Sequence, residues 1–115
     1  MAPTPLDRHT TTETMALWLQ KHRPQPAIRD ELDIGWRLEA QSLVLFETRP
    51  HWQNPLEKHE RPFAKATFNQ RTGLWKIFWR RQDLKWHGYT PHLHAPSVDA
   101  FLKVVDEDAM GRFWG

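Results

Sequence analysis

The residues able to do chemistry are unevenly spread along this 115-residue chain. His92 and His94 stand two apart in PHLH, so on an extended segment both imidazoles project to one side. With His87, or with His51 or His59, they would make a nitrogen ligand set for a transition metal. The spacing matches no zinc signature and the chain has no cysteine to supply a thiolate, so no metal ligand is assigned. Ser42 and Ser97 are the only serines, one beside a turn and one placed to cap a helix. There is no G-x-S-x-G elbow and no glycine-rich phosphate loop. Asp106, Glu107 and Asp108 cluster without apolar neighbours that would push their pKa values apart, so they read as a solvated acidic end. No set of residues recommends an enzyme, and no cofactor is expected.

The stretch LWKIFWRRQDLKWHGY, residues 74–89, is the strongest chemical signal. It interleaves Trp75, Phe78, Trp79, Trp86 and Tyr89 with Lys76, Arg80, Arg81 and Lys85. It also sits in a basic block. Residues 58–87 carry eight basic and two acidic side chains, between two mildly acidic ends, within a chain of net charge +2. Such asymmetry speaks to partners and not to fold.

The elements that must position these residues follow from periodicity. Residues 1–9 hold two prolines and no pattern, and are expected to form a flexible arm ahead of a single domain over 10–115. TTTETMALWLQKHRP predicts a helix capped by Thr10 or Thr11, with Met15, Leu17, Trp18 and Leu19 apolar and Pro24 beyond its end. From Ile34 the period changes to two. A turn at Ala40-Gln41 places Leu38 opposite Leu43 and Trp36 opposite Leu45. Residues 50–62, with three prolines, are expected to be a long connection. A four-residue turn over 70–73 sets Phe68 opposite Trp75, Ala66 opposite Ile77 and Ala64 opposite Trp79, small against large. A two-residue turn at Gln82-Asp83 would then set Trp79 opposite Trp86. Pro91 and Pro96 bracket a loop, and Ser97 caps a closing helix carrying Ala100, Phe101, Val104 and Val105. The aromatic pair Phe113-Trp114 is expected to dock on the body. The sum is an α+β domain: a five-stranded antiparallel meander with an N-terminal and a C-terminal helix on one face.

Those registers divide the sheet residues. One face collects Ala64, Ala66, Phe68, Trp75, Ile77, Trp79, Leu84 and Trp86 as core. The other collects Lys65, Lys76, Phe78, Arg80, Lys85, His87 and Tyr89, cations among flat rings. That composition suits single-stranded nucleic acid or another polyanion, with rings stacking on bases and cations meeting phosphates. The alternative is a protein partner or a homodimer seated on the same rings. No run of apolar residues is long enough to span a membrane, and no secretory signal is visible at the N-terminus. Together with the lack of cysteine, this predicts a cytoplasmic protein.

SLVLFETRPHW (42–52), PFAKATF (62–68), GLWKIFWRRQDLKWHGY (73–89) and the terminal FWG resemble the bacterial family catalogued as domain of unknown function 3024. The resemblance covers about residues 30–115. It implies a small stand-alone bacterial protein with no established activity, and it assigns no catalytic residue. Relative to the family's pattern, this chain has Ala40-Gln41 in place of a Gly-Asn type turn, and Phe68 and Phe78 in place of tyrosine.

Overall fold

The computed structural model describes residues 5–108 and 111–113 of the chain. The order is α1 (Pro5–His22), β1 (Asp33–Glu39), β2 (Ser42–Pro50), β3 (Lys58–Asn69), β4 (Leu74–Arg80), β5 (Trp86–Gly88), a 3-10 turn (Thr90–His92), β6 (His94–Ala95) and α2 (Val98–Glu107). The five strands β1 to β5 lie side by side in chain order, all antiparallel, and β6 adds to β4. This is the expected α+β architecture of a meander sheet with two terminal helices.

Both helices cover one face. Met15 and Trp18 of α1 and Phe101, Leu102 and Val105 of α2 are buried in one cluster with Leu43, Leu45, Ala64, Ala66, Trp75 and Ile77 of the sheet. The small alanines of β3 make room for the large rings and branched chains on the neighbouring strands, which keeps the layer densely packed. Ser97 accepts a hydrogen bond from the Ala100 amide at 3.1 Å and so caps α2, as expected. Where the helix ends, Asp108 takes a left-handed conformation, and its carboxylate accepts from the Arg112 and Phe113 amides at 2.7 and 3.0 Å. That turn drives Phe113 into the core, 4.7 Å from the ring of Tyr89. Trp114 lies outside the described residues.

The structure departs from the sequence reading at several elements. α1 already includes Pro5, inside the stretch expected to be an arm. Its buried stripe is Thr11, Met15 and Trp18, while Leu17 is 63% exposed on the opposite side. The expected long connection is mostly strand. β3 begins at Lys58 and pairs back along β2 to Pro50, leaving 51–57 as the loop. Pro62 is tolerated because the register breaks beside it. Leu45 faces Ala64 and Phe46 faces Pro62, so Phe63 is an extra, bulged residue, and it is buried.

The sharpest departure is at the β4–β5 turn. It is a three-residue loop, Gln82-Asp83-Leu84, closed by the Arg81 amide on the Lys85 carbonyl, with Leu84 left-handed at φ +62°. Asp83 sets it by accepting from the Lys85 amide at 2.9 Å. The added residue shifts the register by one, so Arg80 faces Trp86 and Trp79 faces His87. A one-residue shift moves each side chain to the other face. Beyond β5 the fifth strand is broken. An unbroken register would bring Lys76 to Thr90, but the 3-10 turn intervenes and Lys76 meets His94 of β6.

Candidate nucleic-acid interface

The face of the sheet turned away from α1 and α2 carries the candidate site, and strand alternation decides its membership. From β4 come Lys76, Phe78 and Arg80; from β3, Lys65 and Thr67; from β5, Trp86; from β6, His94. Lys65 is the centre. Its Nζ lies 4.8 Å from the ring centroid of Phe78 and 4.8 Å from that of Trp86. Lys76 Nζ also stands 5.3 Å from the Phe78 centroid, and the Arg80 guanidinium 5.9 Å from that of Trp86. Two rings and three cations thus form one alternating cluster of cation–π contacts. Partial burial between the rings lowers the Lys65 pKa below the ordinary lysine value, with a smaller opposing effect from Glu39.

Charge balance differs across this face. Toward β1, Arg37 is neutralised, paired to Glu39 and to both oxygens of Glu60 at 2.8 and 2.9 Å, and lies over the Phe46 ring. Phe46 in turn fills the space above Gly35, where an added Cβ would meet its ring at 2.7 Å. Toward β4, Lys65, Lys76 and Arg80 have no carboxylate partner among the described residues. The Arg80 Nε is buried with no hydrogen-bond partner there.

Of the seven residues picked out from the sequence, four assemble: Lys65, Lys76, Phe78 and Arg80. Three do not. Tyr89 is 0% exposed and belongs to the core, its amide bonded to the Ile77 carbonyl, so its ring is not offered to a ligand. His87 projects to the opposite side beside Trp79, its Nε2 2.9 Å from Asp83. Lys85 sits in the turn opposite Arg81 and by alternation leaves the face. The three-residue loop is the single cause of the changes at Lys85, His87 and Trp86. It also brings in Trp86, which the two-residue turn assigned to the core. His94 was missed as a member because a two-residue strand leaves no periodic signal. The triad His87, His92 and His94 does not assemble: His94 shares the face with Lys76, His92 is in the 3-10 turn, and no metal-holding group of three His, Asp or Glu occurs among the described residues.

Other polar groups have structural roles. Asp106 of α2 receives the Trp18 indole N–H at 3.1 Å and lies 2.9 Å from His22 Nε2, tying the two helices together. Arg23 holds Asp33 through two bonds of 2.9 and 2.8 Å, which keeps the Asp33 pKa below the usual carboxylate range. Among the described residues, no helix is long and apolar enough to cross a membrane.

The chain belongs to the family described as Domain of unknown function (DUF3024), whose model matches residues 3–115. No curated protein and no solved structure matches it.

Proposed function

We propose that this protein binds single-stranded nucleic acid across the helix-free face of its sheet. Lys65, Lys76 and Arg80 meet phosphates, while Phe78 and Trp86 stack on bases. The observation that carries the reading is the alternation of rings and cations lacking carboxylate partners among the described residues. A single strand offers the matching alternation of flat bases and phosphates, and each stacked base contributes about 1–3 kcal/mol. The same face is poorly made for an apolar protein interface, because Lys65, Lys76 and Arg80 stand over its rings and would have to be desolvated without a counter-charge. A nucleic-acid strand supplies that counter-charge, and its phosphates draw the cations aside from the rings on which the bases then stack. The lack of cysteine fits a reducing, cytoplasmic setting.

Fluorescence anisotropy with single-stranded RNA and DNA oligonucleotides tests this. Wild-type protein is expected to bind at low salt. Trp86→Ala is expected to weaken binding about tenfold, from the loss of one stacked base, and Lys76→Ala by less. An unchanged affinity in both variants, or an equal preference for duplex, would remove the sheet face as the site.

A further inference from the structure

At the end of the sheet where the β2–β3 hairpin runs on beyond the rest, an open cleft of about 1020 Å³ separates that hairpin from the β4–β5 turn and the C-terminal segment. Five arginines line it: Arg49 of β2, Arg61 of β3, Arg80 of β4, Arg81 of the turn and Arg112 of the C-terminal segment. The two carboxylates in its lining are both engaged, Glu47 with Arg49 at 2.9 Å and Glu60 with Arg37 from outside the cleft. Arg61, Arg80 and Arg112 have no carboxylate partner among the described residues, and Arg81 makes no ion pair there, although its charge is felt by Asp83 in the neighbouring turn. Arg81 and Arg112 instead rest on the ring of Trp79, at 5.5 and 4.3 Å. Ring contact holds these side chains in place without neutralising them.

So many like charges around one concavity repel each other unless an anion joins them, and the planar guanidinium fork is matched to phosphate oxygens. Two further features narrow the anion. Trp52, 82% exposed, lines the cleft and offers a flat ring to a base. Arg80 belongs to both the cleft and the sheet-face cluster, whereas Arg81 and Arg112 rest on Trp79 on the opposite side, so a strand lying on the sheet enters the cleft by turning around the end of β4 at Arg80.

We infer that the arginine cleft takes the terminal phosphate of a single-stranded nucleic acid, an end-recognition site that rests on the sheet-face reading above. A phosphomonoester carries more charge and more free oxygens than an internal phosphodiester, so four guanidinium groups with no ion pair among the described residues discriminate in its favour.

The test compares internally labelled oligonucleotides of one sequence ending in a 5′-phosphate, a 3′-phosphate or hydroxyls only, with inorganic pyrophosphate as a separate thermal-shift ligand. One phosphorylated end is expected to tighten binding about tenfold over the hydroxyl-ended strand, the yield of one good charge-assisted contact. The paired change Arg61→Gln and Arg81→Gln, both exposed positions, is expected to abolish that gain. It should leave the hydroxyl-ended affinity within about twofold and the circular dichroism unchanged. Hydroxyl-ended binding with no gain from either phosphate overturns the cleft and leaves the sheet face standing. Pyrophosphate stabilisation that the paired change removes supports the cleft even where hydroxyl-ended strands fail to bind, the outcome that counts against the sheet face alone. No gain from a terminal phosphate overturns the inference of end recognition whatever pyrophosphate does.

Discussion

Tyr89→Phe separates the core from the interface in one substitution. Tyr89 is 0% exposed, and its hydroxyl is buried with no hydrogen-bond partner among the described residues. A buried donor left unmade costs about 1–3 kcal/mol, whereas the ring beneath it, packed 4.7 Å from Phe113, is kept by phenylalanine. Removing only the oxygen should therefore stabilise the fold by about 1 kcal/mol, taking the low end because small relaxations soften such penalties. A chain of this size gains about 240 cal/mol/K on unfolding, at about 2.1 cal/mol/K per residue, so Tm should rise by about 4 °C. Calorimetry gives Tm directly, and the same protein placed in the anisotropy assay should bind oligonucleotides as wild type does. A fall in Tm would mean that the hydroxyl has a partner worth more than its burial costs. A loss of nucleic-acid affinity without a loss of stability would mean that the hydroxyl is reachable by the ligand, against its burial.

Leu84→Gly should raise stability by about 0.5–1 kcal/mol in chemical denaturation, because glycine relieves a left-handed conformation costing about 1–2 kcal/mol and the 69% exposed side chain buries little; Leu84→Val should lower it. The depressed Lys65 pKa means that the folded state binds fewer protons than the unfolded one between the folded pKa and the ordinary 10.5, so Lys65 contributes a stability that rises with pH through that alkaline window. A bound polyanion favours the charged form, so calorimetric titrations in two buffers at alkaline pH should register proton uptake for wild type and none at this site for Lys65→Arg. The lowered pKa of Asp33, caused first by its bonds from Arg23, places its contribution above the unfolded value of about 3.8 and removes it as pH falls through the lower folded value. Arg23→Ala should accordingly lower Tm slightly at pH 7, and the difference from wild type should shrink as pH falls below 3.8.

Much of the fold was legible because local signals agreed. Small-against-large pairing fixed the β3–β4 register, and Gly73, at φ +72°, marked its turn. Leu38 and Trp36 found Leu43 and Leu45 in the same way, although Ala40 has to adopt φ +51° to make that turn. The β4–β5 loop was not legible because the residue in the left-handed position is a leucine, which normally avoids it, and no glycine announced the third loop residue. That one residue exchanged Trp86 for His87 on the outer face. β3 was missed over 58–62 because prolines argue against strand unless a bulge absorbs them. The arginine cleft had no spacing to detect: Arg49, Arg61, Arg81 and Arg112 come from four separate segments that only the folded topology brings together.

The most direct test of the sheet-face account is the salt dependence of single-strand binding. Three phosphates neutralised by Lys65, Lys76 and Arg80 predict a slope of log K against log salt of about −2, near −0.7 per phosphate, for a hydroxyl-ended strand. Affinity should then fall about 20-fold between 50 and 200 mM salt, and the slope should shrink by about 0.7 in Lys76→Ala. A slope near zero, or one untouched by Lys76→Ala and by Lys65→Ala alike, would contradict the account.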